Sequence, residues 1–468
     1  MSDVSLEDIV SLCKRRGFIY PGSDIYGGLS GTWDYGPLGV QLKRNISNLW
    51  WKTFVEDRDD MYGIDAAILM NQKVWQASGH VGGFNDPLFE CNNCKNRFRA
   101  DHLVENWIDA HPDKLNAVIH EAYNQSPETL NHYKNLYKMA CPNCGKQELS
   151  DVRQFNMMFK THVGAVEDET SVSYLRPETA QGMFVNFKNV VDSFYPDVPF
   201  GMAQIGKAFR NEIAPRDFIF RVRELEQMEI EYFVQPDGWR EQFDYWLDQQ
   251  KQFLIGLGLA EEKIHQVEIG PDDRAHYSKH SVDTEFDFPF GQKELLGCAY
   301  RTDYDLSKHQ AASGKNLEYR PKDGGTPYIP HVIEPTFGLD RLFLAVVASA
   351  YCEDEVNGEK RSFLKLPAHL APISVAVSPL LKNKPELVAK AKEVFAMLKK
   401  EFGSVTWDDN SNVGKRYRRS DEIGIPYHVT IDFDTLEGDN AGTVTVRNRD
   451  TTEQTRVGIE DLVANLAL

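Results

Sequence analysis

Apolar and polar residues alternate in the middle of the chain with the period of two that is typical of β-strands. From Phe220 to Val234, one predicted strand face is apolar and comprises Met228, Ile230, Tyr232 and Val234. The opposite face carries Arg221, Arg223, Gln227, Glu229 and Glu231. The preceding segment reads as a strand, Pro199–Arg210, followed by a loop, Asn211–Ile219, in which Pro215 and Asp217 indicate a turn. The pattern predicts a strand, a loop and a returning strand with one packed face and one face of mixed charge.

Two other segments have the spacing of helices. Leu339–Ala350 is an apolar helical run that follows Gly338. In the N-terminal part, apolar side chains recur at helical spacing through Leu38, Leu42, Ile46, Leu49, Trp50 and Phe54. This tryptophan-rich helix is either a core helix or a helix at a subunit interface, where aromatic residues are enriched.

The C-terminal part has the pattern of a small α/β unit. After a Pro-marked connection, Leu366–Pro372, it reads strand, helix, strand, helix, strand, strand. The clearest segments are a strand at Ile373–Ser378, a helix at Pro385–Phe402, strands at Val429–Phe433 and Thr443–Arg447, and a last helix at Ile459–Leu466. We therefore expect one region over residues 1–365 and a second, α/β domain over residues 371–468.

Composition and charge narrow the class of protein. The chain has 468 residues, of which 41% are hydrophobic and 26% charged, and its net charge is −18. The apolar run Leu342–Ala350 is too short for a membrane span, which needs ~20 residues, and the acidic N-terminus does not resemble a secretory signal. The acidic charge excludes non-specific coating of DNA, although a locally bound nucleic acid stays possible. We expect a cytoplasmic protein without a membrane partner.

Four of the seven cysteines form two C-x-x-C pairs, Cys91/Cys94 and Cys141/Cys144. Two such pairs are typical of a closed, structural zinc site with four thiolate ligands. The alternatives are two unrelated thiol pairs or a redox pair. The pairs bracket residues 91–150, which we expect to be an inserted subdomain containing polar helical sequence at Asp113–Tyr137. Cys13, Cys298 and Cys352 are interpreted as structural.

The charged strand face and the start of the apolar helix are the candidate chemical sites. A face with both Arg and Glu suits a ligand of both charges, and Arg binds phosphate in a planar fork. Gly338 permits close approach of the backbone, and Arg341 in a first helical turn opposes the helix dipole. Each feature alone also fits a solvated strand face or an ordinary helix end with a surface salt bridge.

Taken in order, these segments resemble the class II aminoacyl-tRNA synthetases. Phe209–Glu212 with Phe220–Glu229 resembles motif 2 of that class, and Glu334–Arg341 resembles motif 3. Within the class, four further segments resemble the dimeric glycyl-tRNA synthetase family: Gly27–Gly39, Tyr174–Gly182, Arg301–Leu306 and Gly414–Gly424. The resemblance implies an α+β fold: an antiparallel-sheet catalytic core, the inserted four-cysteine zinc subdomain and a C-terminal α/β anticodon-binding domain.

The resemblance also implies the activity, which is the ATP-dependent activation of glycine to glycyl-adenylate and its transfer to the 3′ end of a tRNA. Arg210 and Arg341 are the implied catalytic residues. The implied ATP site is Arg210, Asn211, Glu212, Phe220, Arg221, Val222, Arg223, Glu224, Leu225, Glu294, Leu295, Gly338, Leu339, Asp340 and Arg341, with Glu294 also holding Mg²⁺. In this assignment Phe220 and Arg341 lie on the two faces of the adenine.

The implied glycine site is Arg99, Glu178, Leu225, Glu226, Gln227, Met228, Glu229, Arg301, Glu334, Pro335, Thr336, Phe337 and Gly338. Thr336 stands where the family pattern leads us to expect Ser. The implied tRNA contacts are in the basic cluster Lys415, Arg416, Arg418 and Arg419, which also fits a solvated face. A homodimer is implied as well. The alternatives are a class II synthetase for another amino acid and a catalytically silent, nucleic-acid-binding relative.

Overall fold

The computed structural model describes residues 4–111, 126–271, 273–356 and 358–466. Its α-helices are α1 Leu6–Arg16, α2 Pro37–Trp51, α3 Gln72–Ala77, α4 His80–Gly83, α5 Ala100–Ala110, α6 Pro127–Leu136, α7 Ala180–Phe194, α8 Trp239–Gly256, α9 Tyr304–Ser313, α10 Leu339–Ala350, α11 Pro385–Phe402, α12 Val413–Glu422, α13 Phe433–Leu436 and α14 Leu462–Asn465. Its β-strands are β1 Ile19–Pro21, β2 Trp33–Tyr35, β3 Met61–Gly63, β4 Asn85–Glu90, β5 Arg97–Arg99, β6 Arg153–Asn156, β7 Lys160–His162, β8 Val172–Tyr174, β9 Phe200–Phe209, β10 Glu224–Val234, β11 Ile264–Glu268, β12 His280–Phe288, β13 Gly291–Thr302, β14 His331–Gly338, β15 Tyr351–Val356, β16 Glu359–Leu364, β17 Val375–Pro379, β18 Val405–Trp407, β19 Tyr427–Ile431, β20 Thr443–Asn448 and β21 Gln454–Gly458.

A seven-stranded sheet forms the centre of the larger region, in the order β11-β12-β13-β14-β10-β9-β3. Neighbouring strands are antiparallel except for the parallel pair β3 and β9. The motif-bearing segments are adjacent in this sheet, because Gln227 on β10 pairs with Gly338 on β14 and Glu229 pairs with Thr336. The sheet therefore brings the residues of the two motifs onto one surface.

The returning strand starts later than the prediction at Phe220. It begins at Glu224, and the residues before it form a tight turn closed by a bridge between Arg216 and Arg221. Asp217 and Phe218 take left-handed backbone conformations in this turn, with φ of 57° and 60°. Phe220 and Arg221 consequently lie outside the strand ladder and at the edge of the sheet surface.

The apolar face of the sheet packs against α2, α8 and α10 in one core cluster. Leu42, Ile46 and Trp50 of α2 are fully buried there. A π-helical turn, Lys52–Glu56, continues α2 and places Phe54 against Phe337 of β14, with ring centroids 5.3 Å apart. The apolar positions of the predicted helix Leu38–Phe54 are therefore core positions, as the first of its two interpretations expects.

Strands and helices that flank and separate the two cysteine pairs form a separate layer. Strands β5, β4 and β6 form a three-stranded sheet on which α5 and α6 pack, with Phe89, Val104 and Leu130 in its core. Of the predicted polar helical sequence at Asp113–Tyr137, the part after residue 125 contains α6, and residues 113–125 lie outside the described residues.

The C-terminal residues form a five-stranded sheet in the order β18-β17-β19-β20-β21 with its own apolar core. The predicted elements occur in the predicted order, with an additional short helix, α13, between β19 and β20 and an additional strand, β21, and α11 has the predicted bounds. The last predicted helix consists of a short 3₁₀ turn, Ile459–Asp461, followed by α14. Throughout the described ranges, no helix combines the length and apolarity that crossing a membrane requires.

Candidate active site

A cavity of about 450 Å³ opens on the charged face of the central sheet. Its floor comes from β10, β13 and β14, and its walls come from the 210–222 turn, the first turn of α10 and the 269–281 segment. One end is lined mainly by arginines and the other by carboxylates. The cavity thus offers two chemically different halves that face a common space.

Most of the predicted site residues line this cavity. From the predicted ATP site these are Arg210, Glu212, Phe220, Arg221, Val222, Leu225, Glu294, Leu295, Gly338, Asp340 and Arg341. From the predicted glycine site they are Glu178, Leu225, Glu226, Gln227, Glu229, Glu334, Thr336 and Gly338. The structure therefore brings together residues that lie as much as 163 positions apart in the sequence.

Several predicted residues lie outside the lining. The side chains of Met228, Phe337 and Leu339 belong to the apolar core, and Pro335 is a buried residue of β14. Their side chains shape the sheet and helix and are not presented to the cavity.

Other predicted residues support the walls. Arg223 donates to the carbonyl oxygens of Glu212 and Ser30, so that it holds the motif 2 turn. Glu224 pairs with Lys207 at 3.0 Å, and the backbone N–H of Asn211 donates to Met157 O.

Arg99 lies in the layer between the cysteine pairs, where it makes ion pairs with Asp86 at 3.1 Å and with Asp101 at 2.5 Å. Burial raises the pKa of Asp86 to about 6, in spite of the attraction of Arg99. Glu212 and Arg221 of the motif 2 turn are among the charges that act on Asp86. The Arg99 cluster is therefore close to the cavity but outside its lining.

At the arginine-rich end, Arg341 extends from the first turn of α10. Its Nη1 lies 2.9 Å from Glu294 Oε2, and its guanidinium carbon lies 4.4 Å from the centre of the Phe220 ring. Burial disfavours ionisation of Glu294, but Arg341, Arg210 and Arg221 outweigh this effect and lower its pKa. Glu294 is thus a carboxylate at neutral pH beside three cations.

Arg210 and Arg221 complete this positive region. Arg210 Nε donates to Pro177 O at 3.1 Å, which leaves the guanidinium at the cavity wall. Burial lowers the pKa of Arg221, and the neighbouring Arg99, Arg216 and Arg341 lower it further. Because guanidinium groups are concentrated here, this end favours a polyanion such as a polyphosphate.

The position of Arg341 depends on a contact network that the sequence pattern did not predict. Asp340 accepts hydrogen bonds from Tyr35 Oη at 2.5 Å and from the backbone N–H of Glu226 at 2.7 Å. Lys43 Nζ lies 2.7 Å from Glu226 and 3.6 Å from Asp340. Tyr35 belongs to the Gly27–Gly39 segment that resembles the synthetase family. This resemblance was the sequence signal that could have indicated a role for Tyr35 in the site.

At the carboxylate-rich end, one threonine bridges two acids. Thr336 Oγ1 lies 3.1 Å from Glu229 Oε1 and 3.4 Å from Glu334 Oε1, and Thr179 Oγ1 donates to Glu229 Oε2 at 2.5 Å. The hydroxyl of Thr336, which stands where Ser was expected, therefore faces the carboxylates.

Arg301 lies just behind this end and is almost fully buried. It donates to Asp305 from Nε and Nη2 at 2.7 and 2.9 Å, and it contacts Glu334 through Nη1. Its guanidinium also lies 3.7 Å from the centre of the Tyr277 ring, which is part of the cavity wall. The predicted carboxylate-binding residue is thus held by two acids and an aromatic ring.

The acids at this end differ in protonation. Burial opposes ionisation of Glu178, but His80, Arg301 and Gln181 lower its pKa well below its usual range. Burial raises the pKa of Glu334 to about 8, with smaller contributions from Glu229 and Glu178 and opposition from Arg301. Burial and Glu178 also raise the pKa of Glu229. This end can bind a cation through Glu178 and can release a proton when a cation arrives.

The four paired cysteines lie together, with their Sγ atoms all within 4.8 Å of one another. The closest pairs, Cys91/Cys144 and Cys94/Cys141, are 3.6 Å apart. A tetrahedron of thiolates about 2.3 Å from zinc has edges of roughly 3.8 Å, so the four donors fit that metal. Lys95 and Gly145 take equivalent left-handed conformations after each pair, with φ of 60° and 70°.

The predicted basic cluster lies on α12 and is divided in two by burial. Lys415 is exposed. Arg416 is buried and donates to the carbonyl oxygens of Pro379, Asp409 and Ser411, so it holds the loop before α12. Arg418 and Arg419 are partly exposed, and Arg419 is paired with Asp408 at 2.7 Å. Arg416 therefore has a structural role, whereas the sequence prediction placed it among four candidate tRNA contacts.

Comparison with known proteins places this geometry in a family. A family model described as tRNA synthetase class II core domain (G, H, P, S and T) matches residues 159–350, and one described as Anticodon binding domain matches residues 374–467. The predicted fold class is thereby confirmed.

Full-length relatives agree with these family models. The chain is 50% identical over 460 residues to the glycine–tRNA ligase of Clostridium tetani (strain Massachusetts / E88), a match that covers 98% of this chain and 97% of that protein. It is 50% identical over 465 residues to the glycine–tRNA ligase of Clostridium perfringens (strain 13 / Type A), with the same coverage. It is 48% identical over 459 residues to that of Caldanaerobacter subterraneus subsp. tengcongensis, again covering 98% and 97% of the two chains.

Proposed function

Because the chain belongs to the glycine–tRNA ligase family of class II aminoacyl-tRNA synthetases, we propose that it activates glycine with ATP and transfers it to the 3′ end of its tRNA. The observation that carries this proposal is the single cavity with an arginine-rich half and a carboxylate-rich half. ATP and glycine have the complementary charges, and their reacting groups would meet where the halves join.

In the first step, an oxygen of the glycine carboxylate bonds to the α-phosphorus of ATP, and the bond from that phosphorus to the bridging oxygen breaks to release pyrophosphate. Arg210 is the proposed stabiliser of the charge that develops at the phosphorus. Arg221 would hold the far phosphate. Phe220 and Arg341 would enclose the adenine after their direct contact, at 4.4 Å in this structure, opens to admit the base. Positioning and electrostatic stabilisation provide most of the rate in such a reaction, so we assign no protein nucleophile.

The second step uses the adenylate. The terminal ribose hydroxyl of tRNA attacks the glycyl carbonyl carbon, and AMP leaves. Mg²⁺, when bound, would neutralise phosphate charge. Glu294 is the candidate ligand because it is a carboxylate at the phosphate end, and Mg²⁺ is commonly held by one or two carboxylates together with substrate phosphates.

Glycine would be recognised by its two charged groups. Glu178, Glu229 and Glu334 would surround its ammonium group, and Arg301 would lie near its carboxylate. Larger amino acids would be excluded by the filled walls around this half of the cavity. Since no amino acid is smaller than glycine, the weak discrimination against a missing methylene, ~1–3 kcal/mol, does not arise.

The remaining parts of the chain have supporting roles in this proposal. Residues 1–365 would form the catalytic domain and residues 371–468 the anticodon-binding domain. Cys91, Cys94, Cys141 and Cys144 would hold a structural zinc ion within residues 91–150. Lys415, Arg418 and Arg419 would contact tRNA, and free cysteines are consistent with a cytoplasmic location.

We also propose that the protein is a homodimer. Its proposed subunit interface is a surface other than the helix Leu38–Phe54. The loop between β1 and β2 exposes Ile25, Tyr26 and Leu29, whose exposed fractions are 89%, 86% and 61%. An apolar loop of this kind is suited to burial against a second copy. Sedimentation equilibrium of the wild-type chain and a Tyr26→Asp variant tests this, and a monomeric wild type would contradict it.

The test of the function is ATP–pyrophosphate exchange measured separately with each of the twenty amino acids. We expect exchange with glycine alone, followed by glycyl-tRNA formation when tRNA is added. Exchange with another amino acid would favour the alternative of a different synthetase. No exchange with any amino acid, but retained tRNA binding, would favour a silent binding subunit.

A further inference from the structure

Gln181, in the first turn of α7, is fully buried beside the carboxylate-rich half of the cavity. Its Nε2 donates to Glu178 Oε1 at 3.0 Å and to Asp305 Oδ1 at 2.9 Å. Its Oε1 lies 2.8 Å from His309 Nε2. Both N–H groups and the carbonyl oxygen of the amide are therefore engaged.

The orientation of this amide follows from its neighbours. Two carboxylates can only accept hydrogen bonds when ionised, so the NH2 group must face them. Burial lowers the pKa of His309, and a neutral imidazole protonated at Nε2 donates to Oε1. His309 thus holds the amide in the orientation that the two acids require.

The two acids that Gln181 contacts serve different parts of the proposed glycine site, because Glu178 lines the cavity and Asp305 lies behind it and holds Arg301. Glu178 is the acid that stays ionised and faces the ammonium position. Asp305 accepts two hydrogen bonds from Arg301, the residue proposed to lie near the glycine carboxylate. Arg301 Nη2 and Glu178 Oε1 are themselves 3.9 Å apart. One neutral amide therefore links the cation-binding side to the anion-binding side.

Buried carboxylates that share a site repel one another, and one of them normally takes up a proton. A primary amide with both hydrogens directed at them offsets that repulsion and sets their separation. Without it, Glu178 would more easily gain a proton or one of the two acids would rotate, and either event would weaken the binding of the glycine ammonium or shift Arg301.

We propose that Gln181 is a positioning residue for glycine, which sets the spacing of Glu178 and Asp305 and so aligns both ends of the substrate. This proposal rests on the proposed function, in that Glu178 and Arg301 are taken to bind glycine. Gln181 does not line the cavity, so it acts through the two acids.

The first test replaces Gln181 by Met, which has a similar length and no hydrogen-bond donors. In glycine-dependent ATP–pyrophosphate exchange, we expect the KM for glycine to rise by about 10- to 100-fold, because two buried acids each lose a hydrogen-bond donor. The KM for ATP should stay within about twofold. The matched control is Asn186→Leu on the same helix, which loses a bond to Gly182 O and a bond accepted from Asn189 Nδ2, both outside the acid cluster, and should leave both constants unchanged.

The second test is Gln181→Glu, which keeps the shape but places a third carboxyl in the group. When ionised it repels Glu178 and Asp305, and when protonated it can again donate one hydrogen bond. The ratio of its glycine KM to that of the wild type should therefore fall as the pH is lowered from about 8 to 6.

Several outcomes would overturn the proposal. These are a normal glycine KM in Gln181→Met, an equal rise in the KM for ATP, a pH-independent ratio for Gln181→Glu, or failure of both variants to fold, which would make the role structural. Absence of glycine-dependent exchange in the wild-type protein would instead reject the proposed function.

Discussion

Arg210 lies where β9 ends and the motif 2 turn begins, with its guanidinium at the cavity wall. We expect Arg210→Ala to lower glycine-dependent exchange by ~10²–10³-fold or more, the loss seen when one electrostatic donor to a transition state is removed. The fold should be retained, because the side chain makes a single hydrogen bond, to Pro177 O, among those of the described residues.

The matched control for Arg210 is Arg216→Ala. Arg216 lies in the same turn and is half exposed, and within the described ranges its side-chain ion pair is the local one with Asp217 at 3.4 Å. Its loss should change exchange by less than about threefold. Near-normal exchange in Arg210→Ala, with circular dichroism unchanged in both variants, would show that the phosphate assignment is wrong.

Glu334 gives the glycine site a pH dependence with a definite sign. Its pKa is raised to about 8, chiefly by burial and then by Glu229, Glu178 and Asp305, with Arg301 in opposition. Below that pH the residue is protonated, and an arriving ammonium favours its ionised form. The KM for glycine should therefore fall as the pH rises from about 6.5 to 8, by up to ~10-fold per unit. Exchange assays at saturating ATP measure this, and a KM that is constant over the range would contradict it.

Glu231 is a fully buried carboxyl on β10 whose two oxygens have no hydrogen-bond partner among the described residues. The pairing of Glu229 with Thr336 and of Tyr232 with Ile333 places it opposite Glu334. Burial first, and then Glu334, raise its pKa well above the usual range. The folded protein thus keeps a proton on Glu231 that the unfolded chain releases at about pH 4–5, so this group's contribution to stability falls as the pH rises above that value.

Glu231→Gln should remove this penalty, because the amide is neutral at every pH and can donate to the neighbouring acids. We expect its melting temperature to exceed that of the wild type at pH 7 and the difference to grow between about pH 5 and 8. Glu262→Gln, an exposed acid, is the control and should show no such trend. A lower melting temperature for Glu231→Gln across the whole range would show that the carboxyl is needed in ionised form.

At the residue scale, the sequence shows which side chains are polar. It does not show which of them face the cavity and which support its walls. The period-two pattern correctly places Gln227 and Glu229 on the cavity face of β10. It also places Arg221 on that strand, whereas the tight turn at Asp217 removes Arg221 from the ladder. Networks such as Gln181 with Asp305 join residues 124 positions apart, and a periodicity cannot report contacts that depend on the packing of α7 against α9.

At the scale of elements, the paired cysteines are the clearest case in which spacing predicts geometry. Each C-x-x-C turn brings its own two Sγ atoms together locally. The zinc interpretation further predicts that the two pairs meet, and all four Sγ atoms do lie together. The equivalent turn at Lys95 has no glycine to indicate its left-handed conformation. The helix Leu38–Phe54 is a case in which spacing does not predict the environment, because core helices and interface helices have the same apolar period. The contact of Phe54 with Phe337 of β14 places it in the core.

The zinc proposal predicts about one equivalent of zinc per chain by elemental analysis. Cys141→Ser should lower this value below half an equivalent and should make residues 91–150 sensitive to limited proteolysis, because a structural zinc ion contributes directly to folding. Cys352→Ser, a half-buried thiol outside the cluster, is the control and should retain the metal. Less than half an equivalent in intact wild-type protein would count against the site.

At the scale of the whole molecule, buried ions join the catalytic region to the C-terminal sheet. Asp421 on α12 accepts from Arg361 Nη1 at 3.0 Å and from Arg447 at 2.7 and 3.0 Å. Arg361 lies on β16, before the Pro-marked connection, and is itself buried. The next residue, Glu422, pairs with Arg15 and Arg16 of α1. The C-terminal end of α12, the helix that carries the proposed tRNA contacts, is thus bound by arginines of residues 1–365.

This connection predicts an effect that separates the two reactions. Asp421→Asn leaves the buried Arg447 without its anion and Arg361 paired with Asp354 alone, and loss of one partner from a buried ion pair costs ~3–5 kcal/mol. We expect the C-terminal sheet to become mobile relative to the cavity, so that the KM for tRNA in glycyl-tRNA formation rises at least about tenfold. ATP–pyrophosphate exchange needs no tRNA and should stay within about twofold. Asp439→Asn, an exposed acid of the same sheet region, is the control, and an equal loss of both reactions in Asp421→Asn would mean that the contact stabilises the catalytic core itself.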